Sequence, residues 1–194
     1  CSLMPYLYAK AVEAHEDGTP VMRPMVFEFE DDPACQTLDM QYMLGESLLT
    51  APIFSEDGSA AWYLPEGTWT NYLDGTVKEG DRFDYFSLPL YVRENTLLAV
   101  GSVTERPDYD YAASSVLHLF ALKDGKEAVC RIPDIHGQIV ETVKAIRSGQ
   151  KIVVTADGKN REEDAAFALV LHDENGNMQE ISIPAKGEAV LELI

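Results

Sequence analysis

From Leu48 onward the apolar residues recur with a period of two and are interrupted every few positions by turn residues. That pattern restricts the chain to short strands paired into sheets. The first set of runs covers 49–54, 60–64, 69–73, 83–87, 90–93 and 96–100, with Asp57-Gly58 and Asp74-Gly75 as hairpin signals between them. A polar, proline-bearing interruption at 102–114 separates these from a second set at 116–122, 128–132, 138–145, 152–155, 167–171, 178–183 and 189–193. Asp124-Gly125, Ser148-Gly149 and Asn175-Gly176 punctuate the second set. Short strands at nearly regular spacing predict a β-sandwich, and the pattern occurs twice without a close internal repeat.

The residues before Leu48 read differently. Leu3, Leu7 and Ala11 recur at helical spacing with Met4 and Val12 beside them, which predicts a helix with one buried stripe, Pro5 in its first turn and a stop at Asp17-Gly18. An extended apolar stretch follows at 20–29, and Pro24 in its middle removes a ladder donor. Asp32-Pro33 then offers an N-cap followed by proline, Ala34, Leu38 and Tyr42 an inward face, and Gly45 a left-handed stop, so a second helix is expected between them. A helix, strand and helix of this size bury too little surface to fold alone and must lean on something else.

With 15 Lys and Arg against 33 Asp and Glu, the net charge of −18 repels phosphate backbones and anionic lipid surfaces, which argues against nucleic-acid and membrane partners. Hydrophobic residues make up 46% of the chain, enough for a core, yet no apolar run approaches the roughly 18 residues of a membrane span. Cys1, Cys35 and Cys130 are widely spaced and form no C-x-x-C, so a reducing, cytoplasmic setting is expected rather than a disulfide framework or a zinc ribbon. The first ten residues do not resemble a signal peptide. They enter helical periodicity at once and lack an initiator Met, as expected of a chain cut from something longer.

Residues that carry chemistry do not converge in the sequence. Glycosidase chemistry needs two facing carboxylates, and no pair stands out. Asp31-Asp32 fits helix capping, and Asp108-Tyr109-Asp110 fits a solvated linker, although it could bind an ion or a sugar. His15, His118, His136 and His172 lack metal-site spacing, and no metal or cofactor is expected. Ser47, Ser55 and Ser87 lack a nucleophile elbow, Cys35 falls among packing residues, and 156–160 is not an EF-hand loop. Arg23, set among apolar residues, should pair with a carboxylate if buried. Trp62, Tyr63, Trp69 and Tyr72 could form an aromatic platform for sugar rings, although half-buried strand aromatics usually belong to the core.

Longer phrases are more specific. Leu3-Met4-Pro5-Tyr6-Leu7-Tyr8, Gly18-Thr19-Pro20-Val21-Met22-Arg23-Pro24-Met25 and Gln41-Tyr42-Met43-Leu44-Gly45 occur in that order. They are followed by Leu49-Thr50-Ala51-Pro52-Ile53-Phe54, Tyr63-Leu64-Pro65-Glu66-Gly67-Thr68-Trp69 and Pro89-Leu90-Tyr91-Val92-Arg93-Glu94-Asn95-Thr96-Leu97-Leu98-Ala99. Together they resemble the C-terminal part of glycoside hydrolase family 31, the retaining α-glucosidases and α-xylosidases. His118-Leu119-Phe120, Asp124-Gly125 and Glu127-Ala128-Val129-Cys130 extend the resemblance to the distal domain of bacterial α-xylosidases, as far as about residue 155. The Trp-Asp-Asp-Gly phrase usual in the α-glucosidase branch is missing, which favours the xylosidase branch.

The resemblance implies a mainly β chain: residues 1–46 as an α/β remnant of a catalytic (β/α)8 (TIM) barrel, 47–112 as a proximal antiparallel β-sandwich and 113–194 as a distal one. It implies a parent enzyme that hydrolyses non-reducing α-linked sugars with retention, through two carboxyls roughly 5–5.5 Å apart. Those acids sit on earlier barrel strands, so this chain itself is expected to be inactive and to serve as scaffold. Its implied partners are the missing barrel, oligosaccharide substrate through the parent, and further copies in a homo-oligomer. An orphaned remnant should expose Leu3, Leu7, Phe27 and Leu38, and then self-associate or fold back onto the sandwich. The rival expectation is a standalone carbohydrate-binding β-sandwich that uses Trp62 and Trp69.

Overall fold

The computed structural model describes residues 1–75, 88–158 and 165–193. The expected run at 83–87, with Ser87, and Lys159-Asn160 lie outside them. The chain is mainly β and divides into two units, one formed by Cys1–Thr19 with Asn95–Ile194 and the other by Pro20–Glu94.

The larger unit begins with α1 (Met4–Asp17), which has Pro5 in its first turn. Gly18 at φ +82° ends it by donating to the carbonyl of Ala14 at 3.1 Å. The packed stripe is not Leu3, Leu7 and Ala11. Those residues are half-buried or exposed, while Met4 and Tyr8, one helical turn apart, pack against the core. Tyr8 also donates to the carbonyl of Ile135, and Val12 lies over Gly137. A tyrosine can bury its ring while its hydroxyl reaches a carbonyl, so the seam follows Tyr8 rather than the purely aliphatic positions.

The strands of this unit are β6 (Thr96–Gly101), β7 (Ser115–Phe120), β8 (Glu127–Pro133), β9 (Ile139–Ser148), β10 (Lys151–Ala156), β11 (Ala166–His172), β12 (Met178–Pro184) and β13 (Gly187–Glu192). All seven runs of the second expected set are therefore strands. They form two four-stranded sheets ordered β13-β10-β9-β8 and β12-β11-β7-β6. The 96–100 run, placed with the first set by its position, pairs antiparallel with β7 instead, and β7–β11 is a parallel pair within the otherwise antiparallel arrangement. Inward residues alternate along each strand and fuse into one core that includes Leu117, Ile132, Val143, Val154, Phe167 and Leu169.

Residues 102–114 are no solvated linker, because Tyr109 and Tyr111 sit in that same core with ring centroids 4.8 Å apart, edge to face. Tyr109 also explains Gly101, where an added Cβ would lie 1.8 Å from the phenol oxygen. Two hairpin turns share one chemistry. The carboxylate of Asp134 accepts from the amides of His136 and Gln138, and that of Asp173 from Asn175 and Asn177, with Gly137 and Gly176 at positive φ.

The smaller unit holds β1 (Met22–Pro24), α2 (Met25–Glu28), a 3-10 turn (Pro33–Gln36), β2 (Tyr42–Leu44), β3 (Leu48–Thr50), β4 (Trp69–Asn71) and β5 (Leu90–Arg93). The strands form one sheet ordered β1-β2-β3-β5-β4. The expected helix between Asp32 and Gly45 is absent. Asp32 does cap, accepting from Ala34 N at 3.0 Å, but the helix dies after one 3-10 turn. Thr37 and Asp39 favour extended or turn backbone, and Gly45, at φ +58°, turns a β2–β3 hairpin instead. The 60–64 run joins no ladder either. The buried amide of Gln41 replaces a neighbouring strand, donating to Tyr63 O at 2.8 Å and accepting from Tyr63 N at 2.7 Å. β3 stops at Thr50 because Pro52 can donate nothing.

Candidate functional site

Two cavities formed by described residues of the larger unit bear on function. One, of about 470 Å³, is lined by Arg106, Asp108, Asp110, Asp134, Ile135 and Val140, among others. Two of its three acids are already committed to backbone amides, Asp110 to Ala113 and Asp134 to the turn above. The hydrogen bond from Gln138 N, ahead of the other turn amides, holds the Asp134 carboxyl below the usual carboxylate range. The other cavity, of about 270 Å³, lies where β7, β9, β10 and β11 end, with Arg147, His172, Asp173 and Glu174 on its wall. Arg147 is held there by the carbonyls of Leu122 and Gly149.

His172 leads to a pair that the spacing did not signal. His118 Nδ1 and His172 Nε2 are 2.9 Å apart, on the parallel strands β7 and β11. The Phe120 ring stacks on His172 at 4.1 Å between centroids. Burial, with a smaller contribution from the neighbouring imidazole, pushes His172 down to about 4. Burial also lowers His118, against the opposing pull of Glu180. Both rings are therefore neutral at neutral pH, one donating to the other. Fifty-four residues separate them, and only the strand pairing makes them neighbours. Among the described residues, no group of three or more His, Cys, Asp or Glu side chains converges on a metal position.

In the smaller unit Arg23 is buried and paired, as its apolar neighbourhood requires. Its Nη1 donates to Glu28 Oε1 at 2.6 Å, its Nε donates to Pro20 O, and Glu46 Oε2 lies 3.7 Å from Nη2. Trp69, 3% exposed, donates from its indole to Pro65 O and packs against Phe29. Trp62 is half-buried and stacks on the fully buried Tyr91 at 5.7 Å. The two indoles thus contribute to one small core, and a sugar ring has no open face of Trp69 to lie on. Cys35 is buried, and desolvation followed by the Asp32 carboxylate raises its thiol to about 11, which leaves it protonated and unreactive. Ser47 Oγ donates to Glu46 Oε1 at 3.4 Å, and Ser55 Oγ donates to Ser59 O.

The smaller unit thus holds one sheet and the larger unit two. Residues 18–98 match the glycosyl hydrolase family 31 C-terminal domain, and residues 110–193 match the alpha-xylosidase YicI C-terminal domain. The second match runs well past residue 155, where the phrase resemblance ended. The chain belongs to glycosyl hydrolase family 31, as part of its C-terminal region. It is 34% identical over 199 residues to alpha-xylosidase XylQ of Lactiplantibacillus pentosus, an alignment that takes in 98% of this chain and 26% of that protein. An alpha-xylosidase of Emericella nidulans is 38% identical over 120 residues, 55% of this chain and 15% of the relative. The chain therefore spans about a quarter or less of these relatives. Among solved structures, the Flavobacterium johnsoniae family 31 dextranase FjDex31A superposes with a TM-score of 0.79 at 20% identity, over 97% of this chain and 31% of the dextranase. The Xanthomonas citri family 31 alpha-xylosidase gives 0.76 at 19% identity, over 100% of this chain and 24% of its own.

Proposed function

We propose that this chain is the accessory, scaffolding portion of a retaining α-glycosidase, an α-xylosidase in its closest reading, and is itself without hydrolytic activity. The observation that carries the reading is the ordered pair of family matches, 18–98 then 110–193, combined with an alignment that occupies only 26% of an α-xylosidase. The working carboxylates then belong to the remaining length, on a (β/α)8 barrel whose last elements would be residues 1–46. The half-buried Leu3 and Leu7 and the 53%-exposed Phe27 are apolar surface that such a barrel would cover. Leu38, by contrast, already packs against the core of the smaller unit. Three free cysteines fit a reducing, cytoplasmic location.

Incubation of the purified chain with an aryl α-xyloside tests the proposal. No turnover is expected, and release of the aryl group at a rate that co-purifies with the chain would overturn it. The rival, a standalone carbohydrate-binding protein, keeps one supporting observation, the half-buried Trp62 beside the partly exposed Tyr63. Saturable binding of an α-linked oligosaccharide that disappears in a folded Trp62→Ala variant would favour the rival over the scaffold.

A further inference from the structure

The outer face of the sheet β13-β10-β9-β8 carries a row that neither the core nor the cavities use. Register places Val190, Val153 and Ile146 side by side on three adjacent strands. Val129 sits one row away on β8, opposite Lys144. These side chains point away from the core, since the inward positions of the same strands are Leu191, Ile152, Val154, Ala145 and Ala128. Val190 is 54% exposed, Val129 44% and Ile146 40%, on the water side of an antiparallel sheet where polar residues are the rule.

The charges around that row differ from those of the whole chain. Against 15 bases and 33 acids overall, this face offers Arg131, Lys144 and Lys151 beside Glu127, Glu188 and Glu192. Two copies that each carry −18 repel each other least through a locally balanced patch. A face of mixed sign also gives no field to attract nucleic acid or a basic partner.

We infer that this face docks a second copy of the chain, sheet on sheet, about a two-fold axis running along β10. Such an axis sets Val153 on its own copy and Val190 on Ile146 of the copy, because they lie one strand to either side of Val153. In the next row it sets Glu188 over Lys144 of the copy, twice by symmetry, because Thr155 separates those two in the same way, and Lys144, already paired with Glu127 of its own sheet, then lies between two carboxylates. Strands of the two copies then run nearly aligned, as stacked sheets do. The inference does not depend on the glycosidase reading.

Sedimentation equilibrium of the 194-residue chain over a range of concentrations tests it, with circular dichroism and urea midpoints as checks on folding. A monomer–dimer equilibrium is expected. Ile146→Lys should raise the dimer dissociation constant by about tenfold or more, and Glu188→Lys should do so by about fivefold. The triple variant Glu188→Lys, Lys144→Glu, Glu127→Lys, which also reverses the ion pair that Lys144 makes with Glu127 in its own sheet, should recover most of the loss, which a merely structural role for either residue would not produce. A chain that stays monomeric at its highest soluble concentration overturns the inference. So does a dimer indifferent to Ile146→Lys, or a charge reversal that fails to rescue.

Discussion

The two units solve the same problem with different means. The unit built from residues 95–194 and α1 closes two four-stranded sheets around one continuous apolar core, with strands of six to ten residues. Among its described residues, the 20–94 unit has strands of three or four residues. It relies on side chains doing backbone work: the Gln41 clasp on Tyr63, Arg23 between Glu28 and Pro20, and Trp69 donating to Pro65. A core of aliphatic layers tolerates the loss of any one polar contact. A small core framed by polar clasps does not, because each clasp leaves a buried group stranded when its partner goes.

The largest effect should come from the larger core. Phe167→Ala removes a fully buried ring and should cost about 3–5 kcal/mol in urea denaturation. Because that core is continuous, amide exchange should accelerate in both of its sheets together. Loss of protection confined to β11 and its immediate neighbours would break the one-core description. Arg23→Ala tests the other design. It leaves the largely buried Glu28 facing only Arg93 at 3.8 Å and should cost about 2–4 kcal/mol. Its effect on exchange should stay within residues 20–94, and Arg23→Met combined with Glu28→Leu should recover a substantial part of the loss.

The histidine pair sets a smaller, pH-gated difference between the units. His172 has a folded pKa of about 4, below its ordinary 6.5, so the unfolded chain binds the proton more tightly. Stability is therefore full above about 6.5 and declines as pH falls through the interval down to about 4. After allowance for partial exposure, the loss at pH 5 is about 1–2 kcal/mol. Urea midpoints at several pH values should show this slope in the wild type and a weaker one in His172→Leu. The smaller unit contains no comparable histidine. If both proteins lose stability equally between pH 7 and pH 5, another group carries the proton linkage.

What the sequence revealed divides along the same line. Every strand from 115 to 192 was legible, because alternation extends over six or more residues and Asp, Asn and Gly mark the turns. In the smaller unit the runs at 49–54, 69–73 and 90–93 do hold β3, β4 and β5, but the three-residue β1 and β2 before them leave no room for a period to declare itself. Ala34, Leu38 and Tyr42 merely happen to lie four apart, while the chain there makes a 3-10 turn and then a strand. Gln41 read as an ordinary polar residue, since only the fold brings it to Tyr63 twenty-two positions on. For the candidate site, Arg23 was legible because a lone charge among apolar neighbours must find a partner. His118 and His172 were not, because a parallel strand pairing leaves no trace in spacing. Tyr109 and Tyr111 were hidden by the acids and proline around them.

The smallest predicted effect separates a turn that only closes itself from one that ties segments together. Asp134 accepts amides from its own hairpin. Asp32 caps the 3-10 turn through one oxygen and accepts the Tyr63 hydroxyl through the other at 3.0 Å, thirty-one residues away. Replacing either by Ala should cost about 1 kcal/mol, the ordinary worth of a cap. Asp32→Ala should also be felt at a distance. The hydrogen bond from Tyr63 to Asp32 is the first cause of that phenol's raised pKa, so the variant should titrate one tyrosine closer to its ordinary value in the ultraviolet. Cys35 should come down from about 11, since two of its three causes are Asp32, but not all the way, because desolvation is the largest and remains. Alkylation of Cys35 against pH should then show a modest shift in Asp32→Ala and none in Asp134→Ala. An equal response in the two variants would mean that the clasped unit transmits no more than the layered one.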